Sequence, residues 1–487
     1  MSPAHCFRSL LILAFVLARP LLAADPPQPA PSSKLQPCEI DGVAGEVRCG
    51  TYAVWEDRAA KKGRKIDLYV VVLPALGPER APDSVVFLTG GPGEGAAELA
   101  SAFAPWKELR QKRDLVLVDS RGTGRSNPLR CDLYGNATVQ EIADHLLPPE
   151  RVRRCRAELE KKADLRFYGT SLAMADLDEV LAWLGYEKVN VLAGSYGTKA
   201  AQVYLRHHSG RVRAAVLSGI APVDDPAPLL YARVGQRAVD LLLADCTADK
   251  VCQTAFPNVR EELRAVMERI DQGVKVSVKD PRDGKTYEVR PNRGLVAEGI
   301  RYLLYSDMAR YVPYLVHRAF QGDLTPLVSV SLGRRAGIDQ AIAVGMFLSV
   351  TCSEEVPFID PGVVGKETEG TLLRDFRVRE QKRACELWPR GSVPAEDRDL
   401  VRTEVPVLLI SGERDPVTPP DFGERVASRM PNALHVVMPR GAHLGGPCGE
   451  SLTAAFIERG SAQGLDLSCV KAPPPAAFAT EPPPDME

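Results

Sequence analysis

Three side chains, far apart in the chain, have the types and settings of a hydroxyl nucleophile and the pair that activates it. Ser195 stands in VNVLAGSYGTK (Val189–Lys199), where an apolar run passes through small residues into a helix-forming stretch. A serine hydroxyl is a weak nucleophile until a neighbouring base takes its proton, and a tight strand-to-helix turn with small neighbours is what exposes it. Ala193 occupies the first glycine position of G-x-S-x-G, while Gly194 and Gly197 keep the turn small. Taken alone, this stretch fits an ordinary strand-to-helix turn equally well. His443, in the glycine-bracketed loop RGAHLGG (Arg440–Gly446), is the candidate base. His207 and His208 end the helix that follows Ser195 and would have to point back, and His145, His317 and His435 lack a comparable loop setting. The candidate acid is Asp415 in VLLISGERDPVTPP (Val407–Pro420), in the loop after a strand, where open parallel sheets present functional groups. A bland reading of Asp415 is a turn opener before Pro416. Against it stands the chain order serine, acid, histidine, which goes with a nucleophile elbow and differs from the orders of other triad folds.

Acyl transfer also requires donors for the oxyanion. LTGGPGEG (Leu88–Gly95) follows an early strand, and the backbone N–H groups of Gly91 and Tyr196 are the candidate pair. A phosphate cradle is disfavoured, because no Gly-Lys-Ser/Thr follows and Pro92 removes a donor. No C-x-x-C or clustered histidine spacing is present, so neither metal nor cofactor is expected.

These residues need a parallel sheet to bring them together. Ile66–Leu73, Val85–Thr89, Leu115–Asp119, Val189–Ala193, Ala214–Ser218, Val407–Ser411 and Leu434–Met438 are the expected strands, several of them apolar throughout, as strands covered on both faces are. Helical patterns at Leu172–Leu184, Lys199–His207, Phe422–Arg429 and Ser451–Arg459 alternate with them. Between Pro222 and about Arg402 the rhythm breaks into helix-like stretches, including Glu261–Ile270 and Val296–Leu304, before strands resume. The expected organisation is an export signal over residues 1–24, a Pro-rich segment without order at 25–37, a first sheet-forming region at 38–221, a cap insertion at 222–402, a second sheet-forming region at 403–471, and a Pro-rich tail without order at 472–487.

The signal reading rests on Arg8, the apolar core Leu10–Leu17 and the small-residue exit Ala23–Ala24, and it predicts a secreted or periplasmic protein. No later stretch is long and apolar enough to predict a membrane span. Ten of the eleven cysteines follow the signal, an even number that suits disulfides in an oxidising compartment, with pairing of sequential neighbours the simplest scheme. A net charge of −2 gives no reason to expect nucleic acid as a partner.

GGPGEG (Gly90–Gly95), DSRGTGRS (Asp119–Ser126), AGSYGT (Ala193–Thr198), SGERDPVTP (Ser411–Pro419) and GAHL (Gly441–Leu444) together resemble the prolyl iminopeptidase and tripeptidyl aminopeptidase branch of the α/β-hydrolase peptidases. The likeness covers the sheet-forming regions, and the length of the cap is more like the tripeptidyl type. One departure is Thr89, where many relatives carry histidine. The resemblance implies an α/β-hydrolase fold, with a mostly parallel central sheet flanked by helices and a large, mainly helical cap. It also implies a serine hydrolase that releases residues from peptides with a free N-terminus. Such an enzyme needs an anion in the cap to meet the α-ammonium group. In TCSEE (Thr351–Glu355), Glu354 is the first choice for that anion and Glu355 the second, with a surface pair beside a disulfide as the bland alternative. A secreted esterase or lipase with the same triad, and a non-catalytic binding protein on the same fold, are the competing expectations.

Overall fold

The computed structural model describes residues 34–280, 282–472 and 477–482. The expected signal at 1–24, most of the Pro-rich segment after it, and residues 473–476 and 483–487 of the tail lie outside these.

Among the described residues, nine strands form one sheet and two more form a hairpin. In chain order the strands are β1 (Gln36–Pro37), β2 (Arg48–Trp55), β3 (Lys65–Leu73), β4 (Ser84–Leu88), β5 (Leu115–Val118), β6 (Val189–Gly194), β7 (Val212–Ser218), β8 (Val276–Lys279), β9 (Thr286–Val289), β10 (Val407–Gly412) and β11 (Ala433–Met438). The sheet runs β1-β2-β3-β5-β4-β6-β7-β10-β11. Its first three pairings are antiparallel, and β5-β4-β6-β7-β10-β11 are parallel. The parallel strands are the apolar runs, and Val85, Val86, Leu115, Val116, Val191, Val216 and Leu408 are sealed from solvent.

Helices close both faces. Thr170–Leu184 and Tyr196–His208 bury Leu177, Val180, Ala200 and Val203 on one side. Gly446–Arg459 buries Leu452 and Phe456 on the other, beside Leu109. Burial of each such Leu or Phe side chain contributes about 1.5–3 kcal/mol.

The insertion leaves the sheet after β7 and returns at β10. It carries helices from Tyr231–Ala248 to Phe376–Cys385 and the β8-β9 hairpin, where Gly284 N donates to Asp280 O at 2.8 Å. A second stretch of chain joins it. The segment after β5 includes helices Val139–Asp144 and Pro149–Leu159, and it is tied to the insertion by Gly345 N donating to Leu129 O at 2.8 Å and by Arg335 donating to the carbonyls of Ile142 and Ala143. Gly345 permits that approach, since a Cβ there would stand 2.7 Å from Leu129 O.

Both Pro-rich ends contribute order within the described residues, which corrects the expectation for a portion of each. Leu35 is buried and Gln36–Pro37 pairs with β2. At the other end Ala479 N donates to Arg310 O at 3.2 Å, and Phe478 lines a cavity of about 190 Å³ with Leu304, Arg414 and Ala442. An apolar anchor within each polar, Pro-rich stretch accounts for the docking. Five disulfides join Cys38–Cys49, Cys131–Cys155, Cys246–Cys252, Cys352–Cys385 and Cys448–Cys469, all sequential neighbours. Among the described residues no single helix is long and apolar enough to cross a membrane.

Candidate active site

β6 ends in the small-residue turn and delivers Ser195 at the N-cap of helix Tyr196–His208, with φ +54° and ψ −126°. A non-glycine residue held there costs about 1–3 kcal/mol, a strain that surrounding contacts must maintain. They do so: Ser195 N donates to Ser218 O at 3.0 Å, and Thr198 donates to Ser195 O through its backbone N–H at 2.9 Å and its Oγ1 at 2.6 Å. Gly197 is obligatory, because a Cβ at that position would overlap the carbonyl oxygen of Leu88.

Asp415 is fully buried in the loop after β10 and accepts four hydrogen bonds. Its Oδ1 takes the N–H groups of Val417 and Thr418, each at 2.8 Å. Its Oδ2 takes the Thr418 hydroxyl at 2.7 Å and His443 Nδ1 at 2.8 Å. Four donors fix the carboxylate in place, and with Nδ1 turned to Asp415 the imidazole presents Nε2 on its other side. The loop after β11 brings His443 to Gly219, where a Cβ would stand 3.2 Å from His443 Cε1. Gly219 follows directly on β7, next to the Ser218 carbonyl that holds Ser195. The ring of Tyr305, from the insertion, packs against His443 with centroids 4.9 Å apart. Ser195 is half-buried, and among the described residues no hydrogen bond reaches its Oγ. Catalytic hydrogen bonds of this kind commonly tighten only with substrate in place.

The Leu88–Gly95 loop lies across Ser195. A Cβ on Gly90 would be 3.3 Å from Ser195 Cβ and equally 3.3 Å from Glu94 Oε2. Gly91 adopts φ +103°, and among the described residues neither its N–H nor that of Tyr196 donates a hydrogen bond within the protein. Thr89, the departure from the family pattern, donates its hydroxyl to Glu94 O at 3.0 Å. Glu94 Oε2 accepts Gly90 N at 3.1 Å, and burial pushes this carboxyl above its ordinary range, against the pull of the Gly90 N–H and His443.

The two glutamates of the insertion differ in role. Glu355 is buried and bonded to Lys199 Nζ at 2.7 Å, an ion pair to the helix that Ser195 caps. Glu354 keeps a partly exposed edge. Its Oε1 accepts Thr170 N and its Oε2 accepts Thr170 Oγ1, both at 2.6 Å, and that hydroxyl also lies 2.6 Å from Tyr196 OH. Burial pushes its carboxyl up to about 7. DSRGTGRS is a scaffold. Asp119 accepts the N–H groups of Ala97 and Arg125, each at 2.8 Å, and the enclosed Arg121 grips Asp176 with two nitrogens. Thr418, Thr170, Glu94 and Tyr305 escape sequence reasoning as site residues. Only Glu94 carried a signal, as an acidic residue inside a glycine-rich turn. Among the described residues no cluster of metal-ligating side chains occurs.

A strained serine elbow at the carboxyl end of a mostly parallel sheet, with the acid and histidine loops behind it, defines an α/β hydrolase. Residues 83–256 match the family model described as alpha/beta hydrolase fold, and residues 373–469 match that described as TAP-like protein. The chain is 26% identical over 432 residues to Serine protease Hip1 of Mycobacterium tuberculosis, covering 80% of this chain and 81% of that protein. It is 28% identical over 189 residues to the Tripeptidyl aminopeptidase of Streptomyces lividans, covering 36% and 35% of the two chains. A solved structure of the proline iminopeptidase of Mycobacterium smegmatis aligns with TM-score 0.43 and 16% identity, over 84% of this chain and 98% of that one. The protein is thus a serine hydrolase of the peptidase kind, on the α/β-hydrolase fold, resembling the tripeptidyl aminopeptidase and proline iminopeptidase branch.

Proposed function

We propose that this protein is an exported aminopeptidase that releases N-terminal residues or short peptides through an acyl-enzyme on Ser195. His443 Nε2 takes the Ser195 proton as Oγ attacks the peptide carbonyl carbon, and the C=O electron pair moves onto oxygen. The N–H groups of Gly91 and Tyr196 receive that oxyanion. Collapse expels the peptide nitrogen, which leaves as an amine protonated by His443. Water then repeats the sequence on the ester, giving a carboxylate and free Ser195. Asp415 keeps Nδ1 protonated throughout.

The observation that carries the peptidase reading over an esterase one is Glu354. It is a carboxylate from the insertion, fastened to Thr170 and through that hydroxyl to Tyr196, the residue after the nucleophile. An anion there favours substrates that bring an ammonium group into the cleft. The disulfides suit an oxidising compartment, in keeping with export.

A fluorophosphonate probe should label the wild type and not Ser195→Ala; no labelling of either rejects the catalytic reading in favour of a binding protein. Peptide amides with free amines should be cleaved faster than their N-acetylated forms, and Glu354→Gln should narrow that difference. Acetylated peptides and simple esters turned over as fast as free-amine peptides would establish the esterase reading.

A further inference from the structure

We propose that Glu94 is a second acceptor for the substrate's α-ammonium group, close enough to the nucleophile to select acyl groups of one or two residues. This rests on the aminopeptidase reading above.

The carboxylates around the site differ in what they have left to offer. Asp415 is saturated by four donors, and Glu355 is committed to Lys199. Each oxygen of Glu354 already accepts from Thr170. Glu94 accepts a single bond, from Gly90 N to Oε2, and among the described residues Oε1 receives none. The residue is only partly buried, and its carboxylate stands beside the Ser195 turn.

Its position sets what it can read. Glu94 Oε2 and Ser195 Cβ each lie 3.3 Å from one point, the Cβ that Gly90 lacks. The carboxylate is therefore within the span of two extended residues, at roughly 3.3–3.6 Å each, of the atom that carries the nucleophile. The amine of a one-residue acyl group lies beside the scissile carbonyl, and a dipeptidyl group places its amine a single residue further away. A tripeptide's amine falls roughly 10 Å back, beyond Glu94.

Charge supports the same assignment. An ionised carboxylate beside the amides that receive the oxyanion opposes catalysis unless a cation stands between them. A substrate ammonium supplies that cation, and His443, the other group of that sign acting on Glu94, becomes cationic in the same step. The benefit grows as the oxyanion forms, so it appears in kcat as well as in KM.

The competing role for Glu94 is a brace for the loop, through its bond to Gly90 N. Glu94→Gln separates the two, because the amide oxygen still accepts from Gly90 while the charge is gone. The assay compares kcat/KM for one-, two- and three-residue aminoacyl amides, each free and N-acetylated, on wild type and on Glu94→Gln. Glu94→Gln should lose about tenfold or more on free-amine substrates of one and two residues, the value of one charge-assisted contact, and leave the acetylated ones within about twofold. Glu94→Ala should add a uniform loss across all substrates, because Gly90 is then unbraced. Equal losses of Glu94→Gln on free and acetylated substrates, or free-amine preference left intact, would overturn the assignment. A wild type indifferent to acetylation overturns this assignment together with the aminopeptidase reading. A selective wild type with an equally selective Glu94→Gln overturns this assignment alone.

Discussion

Thr418→Val tests how much of the imidazole's behaviour is set one residue further back, at the carboxylate. Valine matches threonine in shape, and the site is buried, so the substitution removes a hydroxyl without opening a cavity. That hydroxyl donates to Asp415 Oδ2 at 2.7 Å and lies 3.3 Å from His443 Nδ1. Three donors remain on Asp415, the N–H groups of Val417 and Thr418 and the imidazole itself, so the acid stays in place. The loss is one hydrogen bond to a charged group, about 1.5–3 kcal/mol, which bounds the fall in kcat/KM at about 10- to 150-fold. Asp415→Asn should fall by about 10⁴-fold, because it disturbs the tautomer as well. The sign on pH follows from the missing donor. A carboxylate with one fewer partner bears more charge towards the ring and stabilises the imidazolium. The acidic limb of the pH–rate profile should therefore move to higher pH in Thr418→Val. Stopped assays of kcat/KM across the acidic and neutral range, on a free-amine peptide amide, read both quantities. An unshifted limb, or a shift to lower pH, refutes the reasoning.

Further expectations concern neighbouring residues. Glu354, pushed up to about 7, is neutral well below that value and charged above it, so discrimination between free and acetylated peptides should rise with pH through that region; a flat ratio contradicts it. Glu355→Gln strands the buried ammonium of Lys199 and should destabilise the fold by about 3–5 kcal/mol in urea melts. The double substitution Lys199→Met with Glu355→Leu should recover part of that loss, because the buried pair is then removed as a unit. Gly219→Ala puts a Cβ 3.2 Å from His443 Cε1 at a position with φ +66°, so activity should fall well before far-UV circular dichroism changes.

Much of this arrangement can be read from the chain's residue order. Most parallel strands are legible because burial on both faces makes them continuous apolar runs, and Ser195 and Asp415 each sit just past such a run, while His443 follows the half-buried edge strand β11. β2 is not legible. It is half-exposed, carries Gly50 near its start and shows a broken alternation, which is how an antiparallel strand near a sheet edge reads. The union of residues 127–169 with the insertion is hidden for another reason. It depends on Gly345, Leu129 and Arg335 meeting across long sequence separations, and no local pattern encodes that. The same limit separates Glu354 from Glu355. The two are adjacent in sequence, and only the positions of Lys199 and Thr170 give one to an ion pair and the other to a hydroxyl beside Tyr196.

The cystine bonds join partners 6 to 33 residues apart, and each closes a loop within a short stretch of chain. Short loops of this kind bring each thiol close to its own partner along the chain. None of these crosslinks staples the helical roof to the sheet beneath it. Reductant should therefore loosen each layer locally while leaving the packing between the layers in place.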